Sequence, residues 1–211
     1  MQITPQLLPE MIEAIDQAIS ANAEEVTALD QEIGDGDHVY NLQRGIEALK
    51  SQEQDFAALD WVAAWQKIGM TMMSKIGGAS GSLYGSLFVT MSKAAKDRQM
   101  DLSVFANAFA EGVESIKKRG RADVGEKTML DVWVPVVECL QDAASEGLSE
   151  SELLDKINEV AEAGVEATRD MVAKKGRASF LGERTIGHID AGAKTAQLMI
   201  AAVCSVVGKQ L

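Results

Sequence analysis

Three aspartates fall within one short stretch, Leu29-Asp30-Gln31-Glu32-Ile33-Gly34-Asp35-Gly36-Asp37-His38. Glycines between them let the chain turn tightly, so the carboxylates of Asp30, Asp35 and Asp37 can be folded toward one point. Hard oxygen ligands of that kind suit Mg²⁺ or Ca²⁺ rather than zinc. The spacing is not that of an EF-hand loop, because no glutamate stands at its closing position. The competing reading is helix capping by Asp35 and Asp37. Gathering three carboxylates without a cation is costly, which favours metal.

Three further segments carry chemistry. Gly77-Gly78-Ala79-Ser80-Gly81-Ser82-Leu83-Tyr84-Gly85 leads into an apolar helix. Small residues let backbone approach a phosphate, and free N–H groups at a helix start attract anions. Close helix packing through Gly81 and Gly85 is compatible with that use. Lys117-Lys118-Arg119-Gly120 followed by Gly125-Glu126-Lys127-Thr128-Met129 places cations at a helix end, where the dipole alone would accept them. Met129 could support an adenine ring or belong to the core. Lys174 to Gly192 lacks clear periodicity and holds Arg177, Arg184, His188 and Asp190. A connection of that length in a helical protein points to function, and Arg177 and Arg184 are suitable counter-charges for a pyrophosphate. His38 and His188 are the only histidines, and both fall in these segments.

The elements that position these segments read as helices. Leu8, Ile12, Ile15 and Ile19 give one apolar face to a helix near 5–22. The same periodicity predicts helices over 40–50, 56–76, 81–96, 102–118, 127–145, 150–174 and 190–207. Pro135 falls inside the sixth, whose apolar pattern continues on both sides. The connections near 51–55, 97–101 and 146–150 are short, polar and bland. Those near 30–38, 76–82, 119–127 and 175–190 are rich in Gly, Asp, Arg and His, and they are every second connection. In an up-and-down bundle every second connection lies at the same end. Independent local signals therefore converge on one rim. The expectation is an all-α, single-domain barrel or bundle of about eight antiparallel amphipathic helices over residues 1–211, with a binding site at one end.

Composition sets the outer limits. The chain has 211 residues, 46% hydrophobic and 25% charged, with few aromatics, which suits one helical core better than a two-layer sheet. A net charge of −12 argues against nucleic acid or an anionic membrane as partner. It also opposes phosphate binding unless a carboxylate-held cation intervenes. Cys139 and Cys204 show no metal spacing and read as core thiols in a reducing compartment. The start Met1-Gln2-Ile3-Thr4-Pro5 lacks signal-peptide features. The apolar stretches contain charges too often to span a membrane, so a cytoplasmic location is expected.

Together the segments resemble the nucleotide-binding subunit of dihydroxyacetone kinases. The likeness rests on Leu29-Asp30, Gly34-Asp35-Gly36-Asp37-His38, Asn41, Gly77 to Gly81, and Arg119-Gly120. It continues through Gly125 to Trp133, Lys175 to Arg184 and Gly187-His188-Ile189-Asp190, in order along nearly the whole chain. The resemblance implies ADP or ATP as cofactor and two Mg²⁺ ions on Asp30, Asp35 and Asp37. It implies phosphate contacts from His38, Val39, Tyr40 and Asn41 with Gly78, Ala79, Ser80 and Gly81. Leu83, Gly120, Thr128 and Met129 would surround the adenine. Arg177 would pair with the phosphates as the catalytic cation, and Asp190, Ala191 and Gly192 would complete the site. It further implies a separate subunit holding dihydroxyacetone covalently, and a phosphocarrier of the phosphoenolpyruvate-dependent system that rephosphorylates ADP in place. Asp37-His38 is similar to that branch, whereas Val39-Tyr40, Ser82 and Ala191 depart from the family pattern. Two alternatives stand beside this reading: an ATP-dependent kinase subunit for another small carbonyl or sugar acceptor, and a non-catalytic, nucleotide-loaded subunit that contacts a transcriptional regulator.

Overall fold

The computed structural model describes residues 3–211 except 57 and 147, and all their side chains except those of 145 and 146. Met1 and Gln2 of the N-terminal stretch, Ala57 in the expected 56–76 helix and Gly147 in the expected 146–150 connection lie outside the described residues. The α-helices are α1 (Leu8–Ala21), α2 (Ala23–Ile33), α3 (His38–Lys50), α4 (Glu53–Phe56), α5 (Trp61–Lys75), α6 (Gly78–Ala94), α7 (Leu102–Gly120), α8 (Leu130–Glu146), α9 (Glu150–Ala167) and α10 (Ala191–Gly208). Short 3₁₀ stretches cover Pro5–Leu7, Thr168–Asp170 and Arg177–Thr185. No strand occurs among the described residues.

Eight of these helices close into a ring. Going round, α1 packs on α3, α3 on α5, and each of α5 to α9 on its successor, until α10 returns to α1. Most connections between ring neighbours are short, as in an up-and-down ring, while α2 bridges α1 to α3 and a long segment joins α9 to α10. The apolar positions that announced the helices line its interior: Leu8, Ile12 and Ile19, then Trp65, Ile68 and Met72, then Phe109, Val113 and Ile116 are buried. A run of aromatic rings crosses the interior from α5 through α7 to α8. Its successive centroids are Trp61–Trp65 at 5.4 Å, Trp65–Phe105 at 6.2 Å, Phe105–Phe109 at 6.0 Å and Phe109–Trp133 at 5.4 Å, distances at which ring pairs attract beyond simple burial. Leu102, at the first position of α7 and in step with Phe105 and Phe109, is exposed.

The structure departs from the periodic reading in several places. The helix expected over 56–76 starts only at Trp61, where the Asp60 side chain accepts from the Ala63 N–H at 2.8 Å. Residues 23–33 form α2, where the sequence showed only the approach to a loop. Its stripe of Val26, Leu29 and Ile33 is narrow and set among acids, yet Val26 and Ile33 are buried. Asp30 therefore sits in the last turn of a helix. The helix expected over 150–174 stops at Ala167, where the Thr168 hydroxyl donates to the Val165 carbonyl at 2.7 Å and Met171 turns extended. Finally, α10 is by length and composition apolar enough to cross a membrane, with a mean hydropathy of 1.4 over 18 residues, contrary to the expectation that no stretch is. Its Ala193, Ala196 and Val206 are fully buried, and it serves as a core stave between α9 and α1.

Glycine sets the closest helix contacts. A Cβ on Gly164 of α9 would stand 2.4 Å from the Asp131 carbonyl oxygen of α8, and one on Gly69 of α5 would stand 2.9 Å from that of Gly85 on α6. Gly164→Ala should therefore destabilise the protein by about 1–3 kcal/mol through overpacking against backbone, less the roughly 1 kcal/mol that alanine gains in helix propensity. Thermal melts followed by circular dichroism check this; an unchanged or raised midpoint contradicts the α8–α9 contact.

Candidate nucleotide and metal site

The four unusual connections meet. Asp30, Asp35, Asp37 and His38 from the first, Ala79, Ser80 and Leu83 from the second, Gly120, Thr128 and Met129 from the third, and Arg177, Asp190, Ala191 and Gly192 from the fourth line one cleft of about 470 Å³. That volume lies within the usual range for small-molecule sites. The convergence expected from alternation of the loops is thus present at one end of the ring.

The acidic wall is built by α2, a tight turn and α3. One carboxylate oxygen from each of Asp30, Asp35 and Asp37 lies within 4.8 Å of the others. Gly34 permits this, since a Cβ there would fall 2.1 Å from Asp30 Oδ1, and Gly36 supplies a left-handed φ of 76° that glycine adopts freely. The capping alternative separates from the metal reading here. Asp37 occupies the N-cap of α3 but makes no side-chain cap bond. Instead the His38 backbone N–H donates to Asp30 Oδ2 at 3.1 Å. Asp35 forms an ion pair with Arg177, Oδ2 to Nε at 2.5 Å. Three hard oxygen donors at this spacing, two of them exposed, fit a divalent cation that keeps room for water or phosphate.

Cations share the cleft. Arg177 is joined there by Arg119 and Lys175, while Lys127 lies against it with its ammonium buried. Leu83, Ile116, Met129 and Leu130 give the same cleft an apolar lining. Gly120 leaves space beside it, with Leu83 Cδ2 no nearer than 3.6 Å to an added Cβ.

Beneath the cleft lies a buried polar layer. His38 Nε2 and Thr195 Oγ1 are 2.8 Å apart, and burial pushes the His38 imidazole below its usual pKa, against the pull of Asp30 and Asp37. Asp190 caps α10 by accepting from the Ala193 N–H at 2.7 Å. Burial pushes its pKa up to about 7, helped by the Asp131 and Asp30 carboxylates and opposed by the Ala193 N–H and Lys127. Lys127 is buried, and that burial pulls its ammonium down from the usual lysine value. Asp131, also buried, accepts from the backbone N–H groups of Gly125 at 2.6 Å and Thr128 at 2.8 Å, which shapes the loop that carries Met129.

Five expected contacts stand elsewhere. Val39 turns into the core and Tyr40 outward, and both border a shallow hollow between α2 and α3. Each helical residue advances about 100°, so His38 and its two successors cannot share one face. Asn41 backs the Gly77 turn, where a Cβ would lie 2.5 Å from Asn41 Oδ1. Gly78 takes a φ of 63° that opens α6, and Gly81 packs against the Ile76 carbonyl. Ala79 and Ser80 are the members of that segment that reach the cleft.

Comparison with known proteins accords with this geometry. Residues 32–205 match the family model described as DAK2 domain. The chain is 42% identical over 187 residues to the ADP-binding subunit of PEP-dependent dihydroxyacetone kinase 1 of Listeria innocua, covering 89% of each chain. It is 41% identical to the corresponding subunit of Escherichia coli, covering 86% of this chain and 87% of that one. It is also 41% identical to the ADP-binding subunit of the PTS-dependent enzyme of Lactococcus lactis, over 94% and 95% of the two chains. Among solved structures, it resembles the dihydroxyacetone kinase of C. freundii in its native form, with a TM-score of 0.75 at 21% identity. It resembles the same enzyme in complex with AMP-PNP and Mg²⁺ with a TM-score of 0.72 at 23% identity. These matches cover 94% of this chain but about a third of those larger chains, and at such identity they speak for the fold alone. The chain belongs to the DAK2 domain family, among the ADP-binding subunits of dihydroxyacetone kinases.

Proposed function

We propose that residues 1–211 act as a single nucleotide-binding domain, the ADP-loaded subunit of a phosphoenolpyruvate-dependent dihydroxyacetone kinase working in the cytoplasm. The observation that carries this reading is that three carboxylates, the cations Arg119, Lys175 and Arg177, and an apolar lining of Leu83, Ile116, Met129 and Leu130 share one cleft. The names of the bacterial relatives supply the nucleotide and the reaction. Asp30, Asp35 and Asp37 would hold two Mg²⁺, and the nucleotide with its ions would supply the phosphoryl group and neutralise its charge. Leu83, Gly120, Thr128 and Met129 exclude water from the base. The N–H groups of the first turn of α6, at Ala79 and Ser80, have no partner inside the helix and face the phosphates. Arg177 brings a guanidinium to the mouth, where charge builds up on the transferred group. Phe180, 88% exposed on the same segment, offers an apolar hold to the subunit that presents dihydroxyacetone. A phosphocarrier then restores the nucleotide in place.

The direct test is reconstitution. Mixed with an acceptor-holding subunit, a phosphocarrier and phosphoenolpyruvate, the ADP-loaded chain should yield dihydroxyacetone phosphate, and ATP with the acceptor subunit alone should not sustain turnover. Sustained turnover on ATP without the phosphocarrier would assign it to the ATP-dependent type. In the same assay Arg177→Ala should lower kcat by about 10²–10³. It should change stability by less than about 1 kcal/mol, because the pair with Asp35 is largely exposed. Full activity at saturating partner removes Arg177 from the chemistry.

Asp190 yields a pH dependence. Its carboxyl is raised from 3.8 to about 7 in the folded chain, so between those values the folded state binds a proton that the unfolded state releases. The contribution of Asp190 to stability therefore falls as pH rises from about 4 to about 7, by a few kcal/mol at most. Urea titrations of metal-free protein should show it as a slope more negative in the wild type than in Asp190→Asn, which can still cap α10. An unchanged slope in the variant shows that Asp190 is not its source.

A further inference from the structure

The connection between α9 and α10 is long, and it is closed at its neck by a single side chain. Thr168, just after α9, and His188, just before α10, both present carbonyl oxygens to the ammonium of Lys127, the former at 2.5 Å. The ammonium comes from a third segment, the loop that carries Thr128 and Met129. Lys127 is 1% exposed, and its backbone is left-handed at φ 61°, a region that L side chains rarely adopt. A buried charge and an unfavourable backbone thus coincide at one residue, a combination found where surrounding structure holds a site in place. The carboxylates of Asp190, Asp131 and Asp170 compensate the charge, while Arg169 opposes it.

Backbone contacts complete the neck. The Gly187 N–H donates to the Arg169 carbonyl at 2.8 Å. The Ala173 N–H donates to Thr185 Oγ1 at 2.9 Å, and the Asp190 N–H to Thr168 Oγ1 at 3.1 Å. Thr168 and Thr185 are fully buried. Glu126, the neighbour of Lys127, accepts from the Lys174 N–H at 3.1 Å and pairs with Lys175 at 3.5 Å. Beyond these contacts the segment meets α2 through the Arg177–Asp35 pair and through His188 Nδ1, 2.7 Å from Glu32 Oε2, and it carries Arg177, whose side chain is 74% exposed. The neck therefore sets where the backbone of Arg177 lies, and the pair with Asp35 aims its exposed side chain at the carboxylates.

We propose that Lys127 is a positioning residue whose ammonium clasps the neck of the 168–190 segment and so holds Arg177 over the Asp30–Asp35–Asp37 cluster. This rests on the reading of Arg177 as the phosphate-facing cation. Lys127 acts through the Thr168 and His188 carbonyls. Two readouts test it, the first independent of activity. In nucleotide-free protein, Lys127→Met should leave helical content unchanged yet speed trypsin cleavage after Lys174, Lys175, Arg177 and Arg184 by about tenfold, since cleavage follows the population of the opened segment. Unchanged cleavage overturns the clasp. In reconstituted transfer, Lys127→Met should lower kcat about tenfold in the wild-type background and not at all on top of Arg177→Ala, because residues acting as one unit are not additive. Multiplying losses overturn action through Arg177. An Arg177→Ala variant without effect overturns instead the reading of Arg177, and the cleavage arm still decides the clasp. Should the methionine variant fail to fold, Lys127→Gln, neutral and one atom shorter so that its N–H groups fall short of the two carbonyls, gives the same two comparisons.

Discussion

Like charges brought together and held there are the constraint on which the rest of this protein depends. Carboxylate oxygens within 4.8 Å of one another repel by at least about 1 kcal/mol per pair in bulk water and about 3 kcal/mol at a dielectric typical of a protein surface. The chain spends structure on keeping them close. Gly34 and Gly36 make the turn possible, Asp30 is fixed in the last turn of α2 and bound to the His38 N–H, and Arg177 reaches across to Asp35. In a protein of net charge −12 this end would repel any phosphate. With divalent cations on the carboxylates and cationic side chains in the same cleft, the same end becomes the place where a pyrophosphate is stabilised, and catalysis of phosphoryl transfer is mostly such positioning and charge neutralisation.

The helical ring makes that juxtaposition rigid. Each wall of the cleft hangs on the end of a different stave, and the staves are locked by close glycine contacts and by the aromatic run through the interior. Loops carry the chemistry while packed helices set the distances between them. The buried layer under the cleft joins these parts: His38 meets Thr195 of α10, Asp190 caps α10 and senses Lys127, and Asp131 shapes the loop before α8. A change at any one of them shifts a wall rather than a single contact.

Much of this was legible in the sequence because it depends on local signals. Periodic apolar residues announced the ring helices, and the phase of the Gly- and Asp-rich connections announced that Asp30, Ala79, Met129 and Arg177 would share a rim. The sequence hid what depends on distant partners. Lys127 looked like one more helix-end cation, since its acceptors lie 41 and 61 residues away. α2 escaped notice because three apolar residues among acids make a weak stripe that only the neighbouring helices complete. Val39 and Tyr40 were read with the phosphates as a run; helical rotation carries their side chains to different faces, so that reading rests on their backbone N–H groups in the first turn of α3.

The central claim is that cations, not the protein alone, hold the nucleotide to this acidic end. Calorimetric titration of ADP into the nucleotide-free chain, with Mg²⁺ and then with excess EDTA, measures it directly. The account predicts tight binding with Mg²⁺ and a loss of at least about 100-fold in affinity, roughly 2.7 kcal/mol, without it. Equal affinity under both conditions would contradict the account.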